Sequence, residues 1–67
     1  MQKIEINSTY RHYKGNYYKV LGIAKHSETL EEMVVYQSIE HGEIWVRPYS
    51  MWSEVVDEQG TLRFTLC

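Results

Sequence analysis

Cysteine and long apolar runs are almost missing from this sequence. Its one cysteine, Cys67, is the last residue, so no disulfide can form within the chain, as is typical of proteins from a reducing cytoplasm. No segment approaches the roughly 18 apolar residues that a membrane-spanning helix needs. The opening Met-Gln-Lys-Ile-Glu-Ile-Asn also lacks the apolar core of a secretion signal. We therefore expect a cytoplasmic protein that does not engage a membrane.

Alanine, the strongest helix former, occurs once, as Ala24, whereas aromatic residues are abundant: six tyrosines, two tryptophans and Phe64. Aromatic side chains can line a core with their apolar body while a polar tip stays in water. A chain of 67 residues removes only about 60% of its unfolded surface from water. These features predict one small, mainly β domain over residues 1–67, with a thin core in which every large aromatic side chain matters.

The net charge of −2 is unevenly divided. Residues 1–26 carry five basic side chains and one acid, whereas residues 27–67 carry two arginines and eight acids. A protein that depends on phosphate contacts is usually basic overall. Nucleic acid is therefore a disfavoured partner and a peptide or protein is preferred, although the basic first half leaves room for a local anion site.

A β-hairpin is predicted in the first half of the chain. Residues 10–13 and 17–25 flank Gly15-Asn16, which accept the positive φ angles of tight turns. The alternation of the second arm breaks at Gly22, and a glycine at such a break predicts a bulge or bend. Before the hairpin, the alternation of residues 3–7 is compatible with a short edge strand.

Residues 26–39 allow two interpretations. Thr29 and Glu32 fit a capping box and apolar residues with helical spacing follow, so an α+β roll with a short helix near residues 29–37 is the alternative. The run Val34-Val35-Tyr36 favours a strand, because β-branched and aromatic side chains prefer strands. We favour a loop with at most one helical turn, followed by a strand over residues 33–39.

The second half shows short apolar segments separated by turn residues. Gly42 marks a turn, Pro48 ends a strand because it lacks an amide donor, and residues 49–51 predict one 3₁₀-like turn. The predicted strands are residues 44–47, 52–56 and 62–66. Together with the hairpin, this pattern predicts a small antiparallel SH3-like barrel of five or six short strands.

Four segments of this sequence are similar to one family of small bacterial proteins, the domain of unknown function 1653. They are Tyr10-Arg11-His12-Tyr13-Lys14-Gly15, Val20-Leu21-Gly22-Ile23-Ala24-Lys25-His26-Ser27-Glu28-Thr29, Val34-Val35-Tyr36, and Trp45-Val46-Arg47-Pro48 with Met51-Trp52. The resemblance extends from about Tyr10 to Phe64. It implies a free-standing, single-domain cytoplasmic bacterial protein and brings no reaction, cofactor or catalytic residue.

The candidate binding surface centres on Trp45 and Arg47. Two residues apart on a strand, they share a face, while Ile44 and Val46 share the other. If the aliphatic pair faces the core, the indole and guanidinium lie together outside and could hold a planar anion by stacking and paired hydrogen bonds. The competing interpretation places Trp45 in the wall of the barrel and pairs Arg47 with a glutamate.

A basic and aromatic cluster at residues 10–14 is the second candidate, because bases or peptide groups stack on aromatic rings while cations pair with anions. Its competing interpretation is cross-strand packing within the hairpin. Combining both regions, the predicted ligand-binding residues are Tyr10, Arg11, Tyr13, Lys14, Trp45, Arg47, Tyr49 and Trp52.

No motif predicts a catalytic residue, a metal site or a cofactor. The three histidines lack metal-ligand spacing, and His26-Ser27-Glu28 fits a capped loop better than a catalytic centre. A non-enzymatic binding module, as a monomer or weak homodimer, is the favoured function. The alternative is a small enzyme or enzyme accessory acting on a nucleotide or modified base, which requires His26, Glu28 and Arg47 to meet in one pocket together with Arg11.

Overall fold

The computed structural model describes residues 4–67. Its strands are β1 (Thr9–His12), β2 (Tyr17–Lys25), β3 (Glu32–Ser38), β4 (Ile44–Pro48) and β5 (Phe64–Leu66), with a 3₁₀ turn at Tyr49–Met51. They form one antiparallel sheet in the order β4-β3-β2-β1-β5. The prediction of a small, mainly β antiparallel domain is confirmed. The sheet is open: within residues 4–67, β4 and β5 lie at opposite edges and do not pair.

The β1–β2 hairpin forms where the sequence predicts it. Tyr10 lies opposite Tyr18, and the amide of His12 donates to the carbonyl of Asn16 at 2.7 Å. Gly15 has φ +103°, a conformation that strains any residue with a Cβ. The turn chemistry therefore fixes the register of the hairpin.

A bulge in β2 restores the apolar alternation that the sequence breaks at Gly22. Val20 lies opposite Tyr36 and Gly22 lies opposite Val35, so Leu21 is the extra residue. After the bulge, Ile23 lies opposite the buried Val34 and therefore returns to the same side of the sheet as Val20. The predicted irregularity at Gly22 is confirmed.

No helix forms over residues 29–37, so the α+β alternative is wrong. Leu30 has φ +63°, which interrupts a right-handed helix. The amide of His26 donates to the carbonyl of Glu31, closing a tight loop. The strand β3 follows, because its alternate side chains Val34 and Tyr36 are buried in the core.

The segment after the 3₁₀ turn is less regular than predicted. The expected strand over residues 52–56 is reduced to one isolated bridge between Val55 and Leu62. The turn between them is built by Asp57, whose carboxylate accepts hydrogen bonds from the amides of Gln59 and Thr61. Directly after the 3₁₀ turn, Trp52 has φ −66° and ψ −40°, so the backbone there is helical rather than extended, and its side chain is buried in the core.

The sheet has an inner face that packs the core, and no second layer formed by residues 4–67 covers its outer face. The strand register places the buried side chains on the inner face, and Trp52 packs on them from the segment after β4. The Cα atoms span 35 × 27 × 16 Å, which leaves room for little more than one sheet and one packed layer. The buried apolar core consists of Ile4, Tyr10, Val20, Val34, Tyr36, Trp52 and Phe64.

The segment before β1 is fastened to the core without forming a strand. Ile4 is buried, and the amide of Glu5 donates to the Tyr10 hydroxyl at 2.9 Å. Asn7 has φ +68°, in keeping with the predicted break. The compatible edge strand at residues 3–7 is not formed by residues 4–7, and residue 3 lies outside the described part.

No helix within residues 4–67 has the length and apolar character to cross a bilayer. The cytoplasmic location stays a prediction from the sequence.

Candidate functional site

A cleft of about 220 Å³ opens on the inner face where β4 passes the aromatic core. We call it the inner-face cleft. Cleft-sized ligand sites for whole small molecules usually begin near 300 Å³, so this one suits a single ring or side chain of a larger ligand. Its lining residues come from all five strands: His12, Tyr18, Tyr36, Trp45, Arg47 and Phe64.

Trp45 and Arg47 share this cleft, as their alternation on β4 predicts. Trp45 lies opposite the buried Tyr36 and is 49% exposed, so it forms a half-open wall. The condition that Ile44 and Val46 face the core is wrong: they point to the outer face and are 61% and 59% exposed. The indole and guanidinium lie on the core side of the sheet, at its open edge.

Two guanidinium groups share one carboxylate beside the cleft. Glu54 Oε1 lies 3.3 Å from Arg63 Nη2 and 3.9 Å from Arg47 Nη1. The pairing of Arg47 with a glutamate is therefore as the competing interpretation predicts. One negative charge faces two positive charges, so the group keeps a net positive charge in a protein that is acidic overall.

The Arg47 guanidinium also packs on an aromatic ring. Its Cζ lies 5.9 Å from the centroid of the Phe64 ring, within the range of a cation–π contact. The Nε atoms of Arg47 and Arg63 are buried and have no hydrogen-bond acceptor among residues 4–67. The charges of the two guanidinium groups favour an anionic group in this region.

His12 adds a titratable group to the cleft. Burial lowers its pKa below the ordinary value near 6.5, and the charges of Arg63, Lys14 and Arg47 lower it further. Its Nδ1 accepts a hydrogen bond from the amide of Lys14 at 3.2 Å, so the neutral ring carries its proton on Nε2. At neutral pH, His12 therefore offers one N–H donor.

Two predicted ligand-binding residues belong to the core. Tyr10 is buried, and Trp52 is 2% exposed, so neither presents a surface to a ligand. Trp52 stacks on Phe64 with ring centroids 4.0 Å apart and meets the edge of Tyr36 at 5.1 Å. Tyr10 and Trp52 therefore support the aromatic floor of the inner-face cleft from below.

The remaining predicted residues lie around the cleft rather than in it. Arg11 points to the outer face and, with Tyr13, borders a separate hollow of about 320 Å³ next to β5. Lys14 Nζ and Arg63 Cζ each lie 5.8 Å from the Tyr13 ring centroid.

Tyr49 lines a different hollow of about 380 Å³ together with Glu31 and two serines. The eight residues therefore do not form one continuous site.

Several cleft residues escaped the sequence prediction. Tyr18, Tyr36 and Phe64 were assigned no ligand role, and neither were Arg63 and Glu54. His12 belongs to the predicted cluster at residues 10–14 but not to the eight predicted ligand-binding residues, although alternation puts it on one face with Tyr10. The others become neighbours only through the strand order, which the sequence pattern does not contain.

The geometry does not support the enzyme alternative. His26 and Glu28 belong to the β2–β3 loop, where His26 Nδ1 accepts hydrogen bonds from the amides of Glu28 and Thr29. Neither residue lines the inner-face cleft that holds Arg47. Within residues 4–67, no three His, Cys, Asp or Glu side chains gather closely enough to hold a metal ion.

Comparison with known proteins identifies the family of this chain. Residues 8–66 match the model of the family described as Protein of unknown function (DUF1653). The chain belongs to this family. The predicted resemblance, from about Tyr10 to Phe64, is confirmed over its whole length.

A solved structure from the same family has the same fold. It is the crystal structure of a DUF1653 protein from Bordetella bronchiseptica, 36% identical, with a TM-score of 0.79 over 96% of this chain and 87% of that one. No curated protein matches the chain. Family membership therefore fixes the architecture, and the function has to be inferred from the inner-face cleft.

Proposed function

We propose that this DUF1653 protein is a non-enzymatic binding module. Its inner-face cleft would hold one planar, negatively charged group of a peptide or protein, with a nucleotide-like ligand as the competing class. The observation that carries the proposal is the convergence of Trp45, Arg47 and His12 in one cleft, beside a second arginine and a single balancing carboxylate.

Each residue has a distinct contribution in this proposal. The half-exposed indole of Trp45 provides a flat apolar surface on which a ring or planar carboxylate can stack. Arg47 provides a fork of donors that suits the two oxygens of a carboxylate. Neutral His12 provides a further donor from Nε2. The net acidity of the chain favours a peptide carboxylate over a polyanion, because a nucleic acid would meet long-range repulsion.

The test is an NMR titration of ¹⁵N-labelled protein with three ligand sets. Peptides ending in an aromatic residue carry a free carboxylate in the first set and an amide in the second, and nucleoside monophosphates form the third. We expect the Trp45 indole signal to shift with the carboxylate peptides and to shift less with the amidated ones. The Trp52 indole, being buried, serves as an internal reference.

Two substitutions separate the site from general charge effects. Arg47→Lys keeps the charge but loses the paired donors, and we expect it to weaken binding about tenfold or more, since a charged hydrogen bond contributes about 1.5–3 kcal/mol. Arg11→Lys, on the outer face, should leave affinity unchanged. If nucleotides alone shift the Trp45 indole, the nucleotide class replaces the peptide. If none of the three ligand sets shifts the Trp45 indole signal, the proposal of a binding cleft is wrong.

A further inference from the structure

β4 is an edge strand whose first three residues lack the usual protection against pairing with another strand. Ile44, Trp45 and Val46 are 61%, 49% and 59% exposed. Natural edge strands are commonly blocked by a lysine, a bulge or a central proline. Here the register is regular from Met33↔Pro48 to Gln37↔Ile44, and the proline stands only at the end of the strand. A five-residue edge, apolar except for Arg47, is therefore open to a further strand.

The backbone groups that β4 presents to solvent can be identified. The Ser38 amide donates to the Glu43 carbonyl, and hydrogen-bonded pairs alternate along an antiparallel ladder. Trp45 and Arg47 therefore exchange hydrogen bonds with β3. The amides and carbonyls of Ile44 and Val46 point away from the sheet, towards the open edge.

We infer that β4 pairs antiparallel with β4 of a second copy of this chain, centred on Trp45. In this register Ile44 lies opposite Val46 of the second copy, and the reverse pair forms by symmetry. Both outward amides and both outward carbonyls of each copy are then used, giving a ladder of about four hydrogen bonds. The two five-stranded sheets join into one continuous sheet through a two-fold interface.

Only this register suits both the side chains and the backbone donors of the two strands. Centring on Trp45 places Glu43 opposite Arg47 of the second copy, and opposite charges across a strand pair are favourable. Centring on Val46 instead places Ile44 opposite Pro48, which has no amide to donate. Centring on Ile44 places Val46 opposite Gly42, whose amide already donates to Ser38. The segment from Glu43 to Arg47 is thus self-complementary in charge, size and hydrogen bonding.

A second copy fits this edge better than the edge at the other side of the sheet. β5 has three residues, Phe64–Leu66, against five in β4. A pair of five-residue strands buries far less than the roughly 1,200 Å² of a stable interface, so the dimer is weak and depends on concentration. The inference goes beyond the proposed ligand cleft and does not depend on it, although the two Trp45 side chains would meet on the inner face.

The test is sedimentation equilibrium combined with amide exchange, from about 10 μM to about 1 mM, a range that brackets weak association. We expect the average mass to rise from 8.0 kDa towards twice that value. The Ile44 and Val46 amides should gain several-fold protection at the higher concentration. The outward amide of Leu66 on β5 should not. A constant mass up to 1 mM, or protection confined to β5, overturns the inference.

Matched variants keep the result specific to β4. Val46→Pro removes an outward amide without removing a bond to β3, so it should return the protein to a monomer. A proline at Ile39 cannot serve as the control, because the Ile39 amide donates a hydrogen bond to the Tyr17 carbonyl. Lysine substitutions provide the matched pair instead: Val46→Lys is compared with Ile39→Lys, since the two side chains are nearly equally exposed. Only the Val46 change should weaken association, by about tenfold or more.

Charge reversal provides an independent check if the proline variant is unfolded. Glu43→Lys puts a lysine opposite Arg47 of the second copy and should weaken the dimer. Glu40→Lys makes the same charge change in the turn outside the paired segment and should have little effect. A dimer that survives Glu43→Lys and Val46→Lys forms through another surface, which contradicts the inference. Association with added unrelated strands but not with itself would contradict it as well.

Discussion

Trp52 and Phe64 stack with their ring centroids 4.0 Å apart and their planes inclined by 1°. Trp52 follows the 3₁₀ turn and Phe64 opens β5, so this contact fastens the irregular segment between them to the sheet. The Arg47 guanidinium in turn packs on the Phe64 ring. The stack is therefore the structural base of the inner-face cleft as well as the centre of the core.

The two tryptophans should differ sharply in their effect on stability. Trp52→Ala removes a buried side chain and should lower the free energy of unfolding by about 3–5 kcal/mol, a large part of the stability of so small a domain. Trp45→Ala, at a half-exposed position, should cost about 1 kcal/mol or less. Urea denaturation followed by circular dichroism measures both. Equal losses would contradict the burial of Trp52 and the openness of Trp45.

Two glycines should respond in opposite directions to the same substitution. Gly15→Ala should lower stability by about 1–2 kcal/mol, because φ +103° strains any residue with a Cβ. Gly22→Ala meets no atom within 4 Å and requires no positive φ, so it should raise stability by about 0.4–1 kcal/mol through the unfolded chain. Thermal unfolding of the two variants measures both changes in stability. A loss of stability in Gly22→Ala would show that the bulge needs glycine.

Stability should fall on mild acidification because of His12. Its folded pKa is lowered, chiefly by burial, so below about pH 6.5 the unfolded chain takes up a proton that the folded protein resists. The contribution is complete above pH 6.5 and decreases as the pH falls towards the folded pKa. Urea denaturation between pH 7.5 and about 5.5 measures the slope. His12→Gln should flatten it, whereas the exposed His41→Gln should not.

Glu54 should govern the charge of the cleft more than the stability of the fold. Glu54→Gln leaves Arg47 and Arg63 without their shared carboxylate, but the partly exposed pairs contribute only about 0–1 kcal/mol. We therefore expect a small loss of stability and a stronger response of the Trp45 indole to carboxylate ligands. Glu58→Gln makes the same charge change in the turn after Val55 and serves as the control. Identical responses in the two variants would remove Glu54 from the site.

The local structure was largely determined by the sequence itself. Gly15-Asn16 and Gly42 mark their turns and Gly22 marks the bulge, because the conformations needed there are set by nearest neighbours. Alternation also placed Trp45 and Arg47 on one face. The family resemblance rested on such local motifs and was confirmed.

The tertiary structure decided which side of each strand became the core. Trp52 is buried and Trp45 is half exposed, although both lie in the same short segment, because the 3₁₀ turn between them interrupts the alternation of the strand. Likewise, His12 and Arg47 line one cleft although their strands are not neighbours in the order β4-β3-β2-β1-β5, and Glu54 joins Arg47 to the distant Arg63. Contacts between residues far apart in the chain depend on this order, and no local pattern encodes it.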